Sequence, residues 1–229
     1  MSFMSPDLAK QAALSIPRMG TYLAACHNQP SPLSAAINLY AWNAAISAAF
    51  IHPLHFCEVV VRNAVSEALT ATYGAQWPWS QGFFLSLPEQ AGPVFKPRQA
   101  LLAARQKAEQ SAGGNPPSTD KAIAEMSFAF WESMFTARYD HGLWDNHLKR
   151  LFPHAPAGLH YYQLRSQIRS ALEAIRKFRN RIAHHEPIFA RQLAQDYARI
   201  QKVVRYRCAQ TSTWMSQSQT VNVILAAKP

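Results

Sequence analysis

The stretch from residue 158 to residue 186 constrains the fold more than any other part of the chain. When successive residues are placed 100° apart around a helix axis, its large apolar side chains fall on one face. They are Leu164, Ile168, Leu172, Ile175, Phe178 and Ile182. Such a stripe predicts a long amphipathic helix that packs against other elements. Pro187 ends it, because the residue before a proline avoids the α region.

The other segments also have helical composition. Ala, Leu, Gln, Arg and Glu dominate between the breakers, and the β-branched run at residues 59–61 is short. We predict helices near residues 5–27, 33–51, 53–73, 96–112, 119–138, 158–186 and 188–211. Pro17 should kink or split the first of them, and Pro53 should separate the next two. The sequence therefore predicts an all-α fold.

The chain is expected to form a single domain over residues 1–229, with residues 212–229 as a loosely ordered tail. Residues 74–93 contain Gly92 and Pro93 and are predicted to form a long ordered loop anchored by aromatic side chains. The tryptophans expected in the core and in this loop are Trp42, Trp77, Trp79, Trp131 and Trp144.

The charge of the chain is distributed unevenly. Of a formal net charge of +10, residues 158–229 contribute most, with twelve basic and three acidic side chains. A one-sided basic surface favours a polyanionic partner such as nucleic acid. No apolar run reaches the roughly 18 residues of a spanning helix. The first residues lack the layout of a signal peptide, and the three cysteines are scattered. We expect a cytoplasmic protein without membrane association.

A candidate site lies at the end of the amphipathic helix. Arg179 falls at about 20° from Ile168, within the apolar stripe, where a charge needs a partner or a role. Asn180 lies one turn before His184, so their side chains can meet. A histidine that changes protonation near neutrality suits proton transfer. The spacing from arginine to histidine is uninformative by itself, since chance supplies about two such pairs in this chain.

Structural alternatives exist for the same residues. Arg179 could be a buried arginine paired with a carboxylate such as Glu58. His184 and the following His185 could be polar residues at a helix end. Glu58 and Arg62 are spaced for an ion pair on a helix face. His52 and His55 lack a third ligand nearby, and residues 140–147 are more typical of a turn that leads into a short helix than of a metal site.

The sequence Arg179-Asn180-x-x-x-His184 at the end of a long helix resembles the signature of the HEPN superfamily of helical nucleases. More narrowly, the chain resembles the bacterial Abi-like (abortive infection) family. The final segment, residues 178–187, carries the specific likeness. Supporting similarity lies at residues 14–19, 39–43, 56–64, 73–77 and 125–131, where Ala129 replaces a frequent glycine. The resemblance implies a HEPN-like helical bundle with additional N-terminal and peripheral helices.

The resemblance also implies a function, a metal-independent endoribonuclease that acts in antiphage defence or as a toxin. Two copies of the motif would face each other across a homodimer, because each chain contributes one motif. The ribose 2′-hydroxyl would attack the adjacent phosphate and leave a 2′,3′-cyclic phosphate. His184 would move protons, Arg179 would stabilise the phosphorane and Asn180 would orient its neighbours. No cofactor or metal is expected.

The endoribonuclease hypothesis also assigns supporting roles to further residues. His185, Glu186 and Glu58 would support the catalytic residues. The basic residues expected to contact RNA are Arg165, Arg169, Arg176, Arg181, Arg191, Arg199 and Lys202. An alternative function is a non-catalytic protein that holds a structured regulatory RNA. A third possibility is a helical protein that binds another protein.

Overall fold

The described part of the chain is helical, as the sequence predicts. The computed structural model describes residues 5–90 and 95–229, and this part contains no strand. Its α-helices are α1 Pro6–Leu14, α2 Ile16–Ala25, α3 Pro32–Tyr73, α4 Gln81–Ser86, α5 Pro97–Ala112, α6 Thr119–Glu125, α7 Phe128–Ser133, α8 Asp145–Leu151, α9 Tyr161–Ala183, α10 Leu193–Arg207, α11 Ala209–Ser218 and α12 Val221–Ala226. The all-α fold class is thereby confirmed.

The central element is α3, a helix of 42 residues that runs through Pro53. The predicted break at Pro53 is wrong. Proline inside a helix removes one backbone hydrogen bond, at a cost of about 3 kcal/mol. Sixteen buried residues along α3 hold the helix in place on both sides of the proline and outweigh that cost.

An 18-residue window of α3 is long and apolar enough to cross a membrane by length and composition. The sequence-based expectation that no run reaches this length therefore does not hold for α3. Core helices that are largely buried against protein pass the same test. The location of the protein stays a prediction.

The N-terminal stretch splits where Pro17 predicts a disturbance. Ser15 adopts φ 76° between α1 and α2, and Pro17 lies in the first turn of α2, where its missing N–H is tolerated. The Ser15 hydroxyl accepts a hydrogen bond from the backbone N–H of Arg18 at 3.3 Å. This cap defines the start of α2, and Arg18 lies in the first turn of that helix.

The apolar stripe of α9 is buried, as predicted, against α3 and other neighbours. Phe178 meets Phe50 of α3 edge to face, with ring centres 4.8 Å apart. The prediction that the tryptophans lie in the core and in the aromatic loop is also confirmed. Trp77, Trp131 and Trp144 are completely buried, Trp42 is largely buried, and Trp79 is half-buried.

The segments around the core differ from the prediction at two places. Residues 74–93 were predicted to form one long ordered loop, but they contain a short 3-10 turn at Trp77–Trp79 and helix α4. The part of this predicted loop at Gly92 and Pro93 lies outside the described residues. Residues 212–229 were expected to be loosely ordered, but they include most of α11 and all of α12. Met215 and Val221 are fully buried, which explains why this end folds onto the core.

Candidate functional site

The C-terminal end of α9 forms a tight turn built from the candidate motif. The N–H of His185 donates to the carbonyl of Ile182 at 3.0 Å, and the N–H of Glu186 donates to the carbonyl of Arg181 at 2.8 Å. This pair of bonds is a Schellman motif, in which the residue after the helix cap adopts a left-handed conformation. Here that residue is His185, with φ 56°. Glycine is the usual residue at such a position, so His185 holds its conformation at a cost in stability.

Two side chains from other helices fix this turn. The guanidinium of Arg18 on α2 donates to the carbonyl oxygen of His185. The side-chain oxygen of Asn43 on α3 accepts from the backbone N–H groups of Ile188 at 2.8 Å and Phe189 at 3.1 Å. Asn43 is almost fully buried, so these bonds are shielded from water. The turn that carries His184 and His185 is therefore tied to α2 and α3.

Arg179 is exposed, although its angle on the helical wheel predicted a place within the apolar stripe. Within the described residues it makes no hydrogen bond or ion pair, so the pairing with Glu58 does not form. The arginine before it on α9, Arg176, bonds to Glu132 of α7. Arg179 lies about one turn further along and extends into solvent.

Asn180 and His184 are one turn apart, as predicted, but their side chains form no hydrogen bond in the described structure. His184 is exposed and caps α9, where its backbone N–H donates to the carbonyl of Asn180 at 2.9 Å. Arg179 and His184 are separated by about 140° around the helix axis. The two side chains of one chain therefore leave the helix end on different sides.

The predicted supporting residues divide into two groups. His185 and Glu186 take part in the turn itself, and the Glu186 carboxylate pairs with Arg181 at 3.4 Å. Glu58 forms no ion pair with Arg62 or with Arg179 among the described residues, so the predicted pair with Arg62 is absent. The buried Nε of Arg62 has no hydrogen-bond partner.

Three of the predicted RNA contacts on α9 are occupied by internal ion pairs. Arg165 binds Asp140 through two nitrogens, both at 2.8 Å, and its side chain is 12% exposed. Arg169 lies 3.2 Å from the buried carboxylate of Glu132, which also binds Arg176. These arginines are therefore structural, because their charges are neutralised by carboxylates of the preceding segment.

Most of the remaining predicted contacts are also engaged. Arg181 donates to the carbonyl of Pro187 at 2.8 Å. Arg191 and Arg199 both bind the buried carboxylate of Asp196. Lys202 differs, since it is exposed and its ammonium lies over the ring of Tyr206, 5.5 Å from the ring centre. Of the seven predicted RNA contacts, Lys202 alone has no carboxylate or carbonyl partner in the described part of the chain.

A cleft of about 360 Å³ adjoins the turn at the end of α9. Arg18, Tyr40 and His185 contribute to its lining, together with the small side chains of α3. The Arg18 guanidinium lies 6.0 Å from the centre of the Tyr40 ring. Burial raises the pKa of Tyr22, which also lines the cleft, while the nearby charge of Arg18 opposes this change. The cleft thus joins a cation and aromatic rings to the turn at the end of α9, whereas Arg179, Asn180 and His184 are not part of its lining.

Sequence reasoning assigned no role to Arg18 or Asn43. Both lie in segments that carry the family resemblance, residues 14–19 and 39–43, and this was the available signal. In residues 5–90 and 95–229, no three His, Cys, Asp or Glu side chains are grouped closely enough to hold a metal ion. Residues 140–147 form a turn that leads into α8, as predicted.

No family model, no curated protein and no solved structure matches the chain. The resemblance to the Abi-like family and the HEPN superfamily therefore stays a prediction.

Proposed function

We propose that the protein is a HEPN-type, metal-independent endoribonuclease whose active site is completed by a second copy of the chain. The observation that carries the proposal is the state of Arg179 and His184. Both are exposed at a helix end that Arg18 and Asn43 hold in place, and neither side chain has a partner in the described residues. The simplest structural explanation for Arg179, a buried ion pair, is thereby removed.

The chemistry requires one proton acceptor, one proton donor and a cation. A neutral His184 would take the proton from a ribose 2′-hydroxyl, whose oxygen attacks the adjacent phosphorus. The bond from phosphorus to the 5′-oxygen breaks, and that oxygen takes up the proton that His184 has accepted. The products are a 2′,3′-cyclic phosphate and a 5′-hydroxyl. Arg179 would stabilise the extra negative charge on the phosphorane.

The geometry of the helix end supports the proposed homodimer. Arg179 and His184 of one chain leave α9 about 140° apart. Two copies related by a two-fold axis would place Arg179 of one chain opposite His184 of the other. Asn180 lies between them on the helix surface, where it would orient His184 or a phosphate oxygen. The biological role consistent with the family resemblance is antiphage defence or a toxin, in the bacterial cytoplasm.

The direct test is cleavage of labelled RNA by purified protein in the presence of EDTA. We expect cyclic-phosphate ends from the wild type, and a loss of at least about 100-fold in rate for His184→Ala and for Arg179→Ala. His141→Ala and Lys149→Ala are matched controls, since both residues are exposed and lie outside the motif. Undiminished cleavage by His184→Ala would contradict the proposal.

The dimer is tested by mixing the two inactive variants. If Arg179 and His184 act across the interface, a mixed dimer retains one complete pair. Co-expression of Arg179→Ala with His184→Ala should then restore about a quarter of wild-type activity, since half of the dimers are mixed and half of their pairs are intact. If both residues act within one chain, the mixture stays inactive.

A second candidate function is a non-catalytic protein that holds a structured RNA. The observation that favours it is that one chain does not bring Arg179 and His184 to one point, so a monomer would bind phosphates without cleaving. It predicts RNA that co-purifies with the protein, salt-sensitive binding and no cleavage by the wild type.

A further inference from the structure

A groove of about 780 Å³ lies between α10 and α11, separate from the cleft at the end of α9. Its lining includes two cations, a histidine and several hydroxyl and amide groups, and no carboxylate. Its polar lining includes His154, Gln201, Lys202, Arg205 and Ser216. A concave surface with hydrogen-bond donors and without acidic groups suits a ligand that carries phosphates.

No carboxylate among the described residues neutralises the positive charge of the groove. From residue 197 to residue 229 there are five basic side chains and no acidic one. Three of the five are engaged elsewhere. Arg199 binds Asp196, Arg207 binds Glu67, and Lys228 donates to the carbonyl of Phe189. Lys202 and Arg205 are the two left without a carboxylate partner in the described residues, and both face the groove.

The groove has an ordered framework. The side-chain amide of Gln201 on α10 donates to the hydroxyl of Ser216 on α11 at 2.8 Å, which ties the two helices together. The backbone N–H of His154 donates to the carbonyl of Tyr206 at 3.1 Å and holds the preceding loop at one end. The Lys202 ammonium lies 5.5 Å from the ring centre of Tyr206. Lys202 and Arg205 are thus one turn apart on a fixed wall.

The groove also lies within reach of the candidate motif. The guanidinium of Arg191, just before α10, stacks 5.2 Å from the ring centre of Phe178 near the end of α9. Lys202 and Arg205 follow the start of α10 at Leu193 by about 14 to 18 Å along the helix. A ligand that contacts both the groove and the end of α9 must span at least this length, which a strand of several nucleotides does and a single nucleotide does not.

We propose that this groove binds backbone phosphates of a single-stranded RNA segment outside the site of cleavage. The inference rests on the proposed function, because it treats the bound strand as part of the substrate. Lys202 and Arg205 would contact successive phosphates, and the hydroxyl and amide groups of α11 would bind the sugar or base edges. The contacts would be independent of sequence.

The test measures binding of a fluorescently labelled oligouridylate by anisotropy in full-length protein that carries His184→Ala, so that the RNA stays intact. Adding Lys202→Gln with Arg205→Gln should weaken binding on the order of tenfold at low salt. The logarithmic salt dependence should become shallower by about 1.4, since each single-strand phosphate contact contributes about 0.7. The matched control is Lys96→Gln with Lys149→Gln, two exposed lysines outside the groove with no carboxylate partner in the described residues.

Three outcomes would overturn the inference. These are unchanged binding in the groove variant, an equal loss in the control variant, or competition by uridine monophosphate as effective as that of the oligonucleotide. The last would assign the groove to a free nucleotide. If the groove variant weakens RNA binding but the wild type cleaves no RNA, the proposed groove is supported and the proposed nuclease activity is contradicted. If the wild type cleaves RNA but the groove variant binds it as tightly as the protein without the groove substitutions, the nuclease is supported and the groove is contradicted.

Discussion

The two ends of α9 use the same residue type for different purposes. From the first turn of the helix to Arg176, three arginines are bound to carboxylates of the segment that precedes α9; they are Arg165, Arg169 and Arg176. At the last turn, Arg179 is exposed and has no partner among the described residues. A count of basic residues cannot distinguish these two cases. Only the packing of α7 and its neighbours against α9 shows which charges remain available for a ligand.

This difference changes the meaning of the charge concentrated in residues 158–229. Carboxylates at Glu67, Glu132, Asp140 and Asp196 hold most of those arginines in place. A basic surface for nucleic acid is then restricted to a few free side chains, and their positions are more informative than the net charge. Arg179 marks the motif, and Lys202 and Arg205 mark the groove.

The largest effect on stability is expected from removing the carboxylate that serves two arginines. Glu132 is 2% exposed, so Glu132→Ala leaves Arg169 and Arg176 without their shared counter-charge. We expect a loss of about 3 kcal/mol in the free energy of unfolding, at the lower end for buried pairs because both arginines retain some contact with water. Denaturation by urea, monitored by circular dichroism, measures this quantity.

The matched control is the exposed arginine near the C-terminal end of α9. Arg179→Ala removes an exposed, unpaired side chain and should change the free energy of unfolding by no more than about 0.5 kcal/mol. A loss comparable with that of Glu132→Ala would show that Arg179 is structural. The comparison between the two ends of α9 would then fail, and with it the main support for the proposed function.

A smaller effect, of opposite sign, is expected at His185. Its φ of 56° favours glycine, so His185→Gly should stabilise the fold by about 0.5 to 1 kcal/mol. The bond from Arg18 is made to the backbone carbonyl and should survive the change. If His185 is retained for function, the rise in melting temperature should come with slower RNA cleavage. A variant that is both more stable and fully active would assign His185 no functional role.

The sequence predicts the elements better than the contacts between them. The stripe of α9 and the buried tryptophans follow from local periodicity and from side-chain size. The exposure of Arg179 does not, because it depends on where the covering segment ends. The bond from Arg18 to His185 spans 167 residues of chain, so no local pattern contains it. Pro53 inside α3 was missed because tertiary packing outweighs a local helix breaker.

The smallest expected effect is a pH-dependent change in stability at Glu67, which, like Glu132 and Asp196, binds two arginines. Glu67 on α3 binds Arg150 and Arg207. Burial opposes ionisation of this carboxyl, but the hydrogen bonds from Arg150 and Arg207 outweigh it and lower the pKa of Glu67. A lowered pKa in the folded state contributes stability above the pKa of the unfolded chain, near 4.3, and that contribution is lost as the pH falls through the folded value.

Glu67 is 41% exposed, so solvent screening limits its contribution to less than about 1 kcal/mol. Glu67→Gln should lower the melting temperature slightly at pH 7, and the difference from the wild type should vanish in acid. The same measurement on Arg179→Ala should show little difference at either pH, since that side chain has no carboxylate to lose. A difference for Glu67→Gln that persists at pH 2 would mean that packing and not charge holds Glu67 and its arginines together. The distinction between paired and unpaired arginines would then indicate which side chains a ligand can reach, and it would indicate little about stability.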